Sequence, residues 1–161
     1  MRHMFSQNIR AIFTIVLAAM LLSSCASFRE FMGFDTEAQL KFNISSAVNP
    51  DTNGRPSPIV INLLFLKDNR QFEQEDLISL LSNASERLGK DVIDTVRLKE
   101  FIPGEERIET FKLSNDTAYI GILAEYVQYQ DAEAKLILPI EAHTTNKYFV
   151  NINKLSMSEK H

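Results

Sequence analysis

Seven short segments of strand patterning follow one another at intervals of roughly 10 to 15 residues between residues 39 and 155, with turn residues between them. That spacing leaves little room for crossover helices and points to an antiparallel β-sandwich of seven or eight strands, mainly β in class. The first segment, Gln39–Ser45, alternates cleanly: Leu40, Phe42 and Ile44 lie on one face, Lys41 and Asn43 on the other. Residues Ile59–Leu66 are almost continuously apolar, as expected of a strand buried in the middle of a sheet. A third segment, Asp91–Ile102, ends at the turn dipeptide Pro103-Gly104, and Arg107–Leu113 follows at hairpin distance. Ala118–Tyr129 reads as one long strand with a bulge at Gly121. Ala134–Ile140 and Lys147–Leu155 complete the set, with Pro139 indicating an edge or a strand end. One segment is helical. Phe72–Leu81 has acids in its first turn and Leu77, Leu80 and Leu81 at helical spacing, with a weaker extension to Leu88 before Gly89 as C-cap. This helix is an insertion on the β frame.

The start of the chain sets the compartment. Met1–Arg10 carries Arg2 and Arg10 and no acid, and is followed by Ala11–Leu22, apolar except for Thr14. This is the layout of a secretory signal. Twelve helical residues span about 18 Å, short of the roughly 30 Å hydrocarbon core, so a permanent transmembrane helix does not fit. Leu22-Ser23-Ser24-Cys25 then resembles the bacterial lipobox: an aliphatic residue, two small ones, and a thiol able to form the thioether to diacylglycerol. The division expected is a signal peptide over 1–24, a lipidated tether over 25–38 and a sandwich domain over 39–161. Cys25 would carry S-diacylglycerol and N-acyl chains, with no other cofactor. At about 0.8 kcal/mol per buried methylene, two or three such chains hold a protein to a membrane essentially permanently. Ala26 rather than Asp after the cysteine resembles the sorting choice for the outer membrane, on its periplasmic face. Phe28, Phe31 and Phe34 make the tether too apolar for a purely solvated linker. They either pack back on the domain, the preferred reading, or lie at the membrane interface.

Composition removes several classes of function. A single cysteine rules out an intramolecular disulfide and Cys/His zinc or iron–sulfur centres. Histidines at positions 3, 143 and 161 give no basis for a triad or a three-histidine metal site. The formal charge of −4 removes the electrostatic case for nucleic acid, and loss of Arg2 and Arg10 on processing makes the chain more acidic still. His143, in Glu141-Ala-His-Thr-Thr145, reads as a surface residue. Glu105 and Glu106 are adjacent strand residues that face opposite ways and cannot flank one substrate bond. No constellation for catalysis emerges, so the chain is not expected to be an enzyme.

The order of these features carries a resemblance. The lipobox; Ser57-Pro58-Ile-Val-Ile-Asn-Leu-Leu-Phe-Leu-Lys67; the bend from Asn69 to Phe72 into Glu75-Asp76-Leu77-Ile78-Ser79-Leu80-Leu81; Phe101-Ile102-Pro103-Gly104-Glu105; and Tyr119-Ile-Gly-Ile-Leu-Ala-Glu-Tyr126 together resemble the TssJ family, the outer-membrane lipoproteins of the type VI secretion system. The likeness runs from about Leu40 to Lys154. It implies a transthyretin-like sandwich, monomeric by itself, that binds the periplasmic C-terminal region of the inner-membrane subunit TssM. Through TssM, with TssL, it would join an envelope-spanning complex. In the family the loop between the first two strands contributes to that binding, and by position it is Ser46–Ser57 here. The family's strand usually has a basic residue and a tyrosine where this chain has Asn62 and Leu64, so no role on that strand is carried over.

The loop also stands out by itself, because it is too long for a tight hairpin and loops of that length are often functional. Its candidate partner-binding residues are Val48, Asn49, Pro50, Asp51, Thr52, Asn53, Gly54 and Arg55, with Val48 expected as an apolar anchor and Arg55 as a charged contact. A function of a different class fits the same composition: a lipid-anchored periplasmic carrier of a small apolar ligand, or a pilotin-like binding module.

Overall fold

The computed structural model describes residues 35–160. The expected signal peptide, Cys25, and the tether phenylalanines Phe28, Phe31 and Phe34 lie outside the described residues. The elements run β1 (Thr36–Ile44), β2 (Ile61–Leu66), α1 (Arg70–Gln74), α2 (Leu77–Leu88), β3 (Val92–Arg97), β4 (Glu106–Leu113), β5 (Tyr119–Ala124), β6 (Lys135–Pro139), β7 (Thr145–Ile152) and β8 (Met157–Lys160). They form two four-stranded sheets in the orders β4-β1-β7-β8 and β3-β2-β5-β6. The expected β-sandwich with a helical insertion is the observed fold. Its strand ladders are antiparallel except one: β1 and β7, far apart in the chain, run parallel, and an isolated parallel bridge joins Glu133 and Ser156.

β1 begins earlier than the expected domain boundary at residue 39. Thr36 and Ala38 are fully buried and pair with β4, so the sandwich includes them. The alternation of β1 then does what the sequence implies. Ala38, Leu40, Phe42 and Ile44 point between the sheets, where the Phe42 and Phe101 rings lie 5.2 Å apart and Phe65 and Phe111 lie 5.6 Å apart.

β2 is apolar except at Asn62 because both of its faces are covered. Ile61, Leu63 and Phe65 enter the inter-sheet core, whereas Leu64 and Leu66 join Phe72, Leu80, Leu88 and Leu123 in a second core beneath the helices. Gly121 marks no bulge: β5 pairs in unbroken register with β2 and β6 through it. The Phe72 ring lies on it instead, and a Cβ at position 121 would sit 2.6 Å from the Phe72 ring. The ladder irregularity falls between Phe65 and Leu66.

The helical segment is not one helix: α1 and α2 are separate, and α2 is itself kinked at Asn83, whose backbone is non-helical at φ −159° and ψ 64°. Asp76 adopts extended backbone and its carboxylate accepts from the Ser79 N–H at 2.9 Å, so this acid starts α2 as its N-cap. Lys135 on β6 donates to the carbonyls of Phe72 at 2.7 Å and Glu75 at 2.6 Å, closing α1. Gly89 ends α2 at a φ of 53°, the expected glycine stop.

β3 and β4 do not form the expected hairpin. β3 pairs with β2, and β4 pairs with β1 in the other sheet. Between them Phe101 bridges to Ile59, and Arg107 folds over the Phe101 ring at 3.8 Å while donating to the carbonyls of Lys99 at 2.8 Å and Glu100 at 2.9 Å. This clamp fixes the crossing from one sheet to the other. The expected long strand over Ala118–Tyr129 stops at Ala124, and Lys147–Leu155 divides into β7 and a turn that leads to β8. Pro139 closes β6, an edge strand, as its ring requires.

Candidate functional site

Four connections gather at one end of the sandwich: β1 to β2, β3 to β4, β5 to β6 and β7 to β8. The first of these is the loop singled out in the sequence. It is fixed at its base by Asn49, whose side chain is only 2% exposed and whose backbone takes a positive φ of 48°. Asparagine tolerates that left-handed conformation better than most residues. The Asn49 side chain donates to the Pro58 carbonyl at 2.7 Å and accepts from the Val127 N–H at 2.7 Å, tying the loop to the β5–β6 connection. Its backbone N–H donates to Lys154 in the β7–β8 turn at 3.0 Å, and its carbonyl accepts from the Ser57 hydroxyl. Gln128 adds bonds to the carbonyls of Pro50 at 3.0 Å and Asp51 at 3.2 Å. The Tyr126 hydroxyl donates to the Ser156 carbonyl at 2.9 Å, and burial raises its pKa, so it stays a neutral donor.

Beyond this base the chain forms a closed tip. The Asp51 carboxylate accepts from the backbone N–H groups of Asn53 at 2.8 Å and Arg55 at 2.9 Å, and pairs with the Arg55 guanidinium at 2.8 Å. The Arg55 backbone bond is the largest cause holding the Asp51 carboxyl below its ordinary 3.8, so the clamp is ionised at neutral pH. Gly54 takes a φ of 77° to turn the chain.

The eight sequence candidates therefore separate into two groups. Val48 is fully buried in the inter-sheet core, so it is no exposed anchor; its isolated apolar side chain among polar neighbours signals burial instead. Asn49 and Pro50 are also buried and Asp51 is half-buried, so they build the loop. Thr52, Asn53, Gly54 and Arg55 are exposed. Sequence reasoning missed Asn49 as the base of the loop and Gln128 as its brace, since those bonds join residues more than 70 positions apart.

An Asn49→Ala substitution leaves the Val127 N–H and the Pro58 carbonyl without their partner and puts at positive φ a residue that tolerates it less well than asparagine. The expected loss of stability is about 2–4 kcal/mol, read as a lower midpoint in urea with an unchanged slope.

The residues set aside in the sequence have partners within the sandwich. Glu105 accepts from the Ile102 N–H at 2.9 Å and pairs with Arg107 at 2.6 Å, while Glu106 pairs with Lys41 at 3.0 Å. The His143 N–H donates to the Thr36 hydroxyl at 2.8 Å. Asn62 donates to Glu125 at 2.8 Å, and Glu125 also pairs with Arg97. Leu64 is buried beneath the helices. Among the described residues no group of three or more His, Cys, Asp or Glu side chains is arranged to hold a metal ion, and no helix is long and apolar enough to cross a membrane.

Comparison with known proteins gives the same frame. No curated protein matches the sequence. Among solved structures, the type VI secretion lipoprotein TssJ1 from Pseudomonas aeruginosa is similar at a TM-score of 0.74 and 23% identity, over 78% of this chain and 95% of that one. Lip from Serratia marcescens, a membrane-bound component of the type VI secretion system, is similar at 0.73 and 21% identity, over 79% and 97%. A chain of the structure of the C-terminal domain of the type VI protein TssM from EAEC is similar at 0.66 and 18% identity, over 78% and 98%. The family model T6SS-SciN, described as type VI secretion lipoprotein, VasD, EvfM, TssJ, matches residues 36–155. With a match spanning nearly the whole described sandwich, the chain belongs to the TssJ family of type VI secretion lipoproteins.

Proposed function

We propose that this lipoprotein is held at the periplasmic face of the outer membrane by acyl chains on Cys25, and that the tip of its β1–β2 loop grips the periplasmic C-terminal region of a TssM-type subunit. TssL enters the same assembly through TssM. The chain acts by mechanical coupling rather than chemistry: the lipid resists extraction while the folded body presents a docking surface.

The observation that carries this reading is a loop built as a rigid projection. Its base is buried and bonded to two other connections, its tip is clamped by Asp51, and Thr52–Arg55 remain exposed. A connector with no binding role has no need of such preorganisation, whereas a docking loop gains affinity by losing little freedom when it binds. β1 also separates the tip from the start of the sandwich. Nine residues of strand place the loop about 30 Å from Thr36, where the chain arrives from Cys25. Support for the partner comes from family membership and from the likeness to a chain of the TssM C-terminal domain structure.

Affinity capture of the lipidated protein from membranes, followed by mass spectrometry, tests the assignment. A TssM-type subunit should be the main partner recovered. Recovery of the protein with a small apolar ligand and without TssM supports the carrier reading instead.

A further inference from the structure

The two sheets differ on their outer faces. Helices α1 and α2 cover the β3-β2-β5-β6 sheet, whereas the helices leave the outer face of β4-β1-β7-β8 open. Register defines that open face residue by residue. One row crosses all four strands and reads Ile108, Lys41, Phe149, Lys160. Next to it lie Thr110, Gln39 and Lys147, then Lys112, Glu37 and Thr145. Ile108 is 57% exposed and Phe149 is 54% exposed.

Charge on this face runs against the charge of the chain. Lys41, Lys112, Lys147 and Lys160 outnumber Asp35, Glu37 and Glu106 here by four to three, although the whole sequence carries −4. Lys41 is paired with Glu106 and Lys112 with Asp35, but Lys147 and Lys160 form no ion pair among the described residues. Phe149 is thus an exposed aromatic with lysines at its register partners on both sides and two residues before it on its own strand. An exposed aromatic ringed by long cationic side chains has the chemistry of a headgroup contact: the ring enters the interfacial region and the ammonium groups reach lipid phosphates.

We propose that the outer face of the β4-β1-β7-β8 sheet lies against an anionic phospholipid surface, with Phe149 inserted and Lys147 and Lys160 on the phosphates. The chain between Cys25 and Thr36 permits this, since its eleven steps reach at most about 40 Å. The loop end then projects along the membrane, leaving Thr52–Arg55 open. The inference goes beyond the docking reading and uses Cys25 lipidation only to bring the face near lipid.

The sequence contains no tryptophan, so Phe149→Trp creates a single fluorescent reporter in the full lipidated protein. A second reporter, Ile78→Trp, marks α2, where Ile78 is exposed over the opposite sheet. Both are reconstituted with vesicles of phosphatidylethanolamine and phosphatidylglycerol that carry brominated acyl chains. The Phe149→Trp protein should show a blue shift and several-fold stronger bromine quenching than the Ile78→Trp protein. Removing phosphatidylglycerol, or adding Lys147→Glu with Lys160→Glu, should reduce the quenching to the Ile78 level without altering flotation. Flotation reports the acyl anchor separately. Equal quenching at both positions, indifference to phosphatidylglycerol, or a response at 149 only when a protein partner is added overturns the proposal. So does absence of quenching at 149 at excess vesicles, whether or not the protein floats.

Discussion

Replacing Phe72 with alanine should lower the stability of the sandwich by about 3–5 kcal/mol, a large share of the 5–15 kcal/mol typical of a domain. Phe72 is 1% exposed and is the buried aromatic of the core beneath the helices, which it forms with Leu64, Leu66, Leu80, Leu88 and Leu123. Its ring also occupies the space that Gly121 leaves open in β5. Truncation removes the ring from both surfaces and detaches α1, whose closing carbonyls are held by Lys135. A double-mutant cycle identifies the cause. Gly121→Ala alone should cost about 1–3 kcal/mol, because its Cβ would meet the ring; in the Phe72→Ala background that cost should vanish. Denaturant unfolding of the four proteins measures it, and equal costs in both backgrounds would show that Gly121 is not there for the ring.

Cys25→Ser should move nearly all of the protein from the membrane to the soluble periplasmic fraction. Serine cannot form the thioether, and the chain has no second thiol to replace it. Losing two or three acyl chains removes tens of buried methylenes at about 0.8 kcal/mol each, far more than headgroup contacts on one sheet face can restore. The sandwich should keep its unfolding midpoint, since the described core begins at Thr36. Fractionation in high salt, which screens the lysines, reads the anchor alone. Continued outer-membrane fractionation of the serine variant rejects lipidation as the mechanism of attachment.

Local pattern in the sequence specified faces well and partners poorly. The alternation of Leu40, Phe42 and Ile44 and the nearly continuous apolar run of β2 correctly implied one strand buried on one side and another buried on both. Pro139 and Gly89 marked the ends they occupy. Which strands pair is a longer-range matter. β3 and β4 look like a hairpin because they are close in sequence, and only the Arg107 clamp over Phe101 and two carbonyls reveals a crossing between sheets. The acids before Leu77 pointed to a helix start but not to Asp76 as the cap that interrupts it. The candidate site was legible as a segment, from its length and turn residues. The division within it was not, because the anchoring of Asn49 and Pro50 depends on Val127, Gln128 and Lys154, all far away along the chain.

The central claim is that the exposed tip, and not the buried base, grips the partner. Titration of the purified protein with the periplasmic C-terminal region of TssM tests it most directly, comparing the native chain with a variant carrying Thr52→Ala, Asn53→Ala and Arg55→Ala. Asp51 still accepts the backbone N–H groups of residues 53 and 55 in that variant, so the loop remains closed. The account predicts an unchanged unfolding midpoint and a Kd weakened about tenfold or more, or about 1.4 kcal/mol. An undiminished affinity in the folded variant contradicts it.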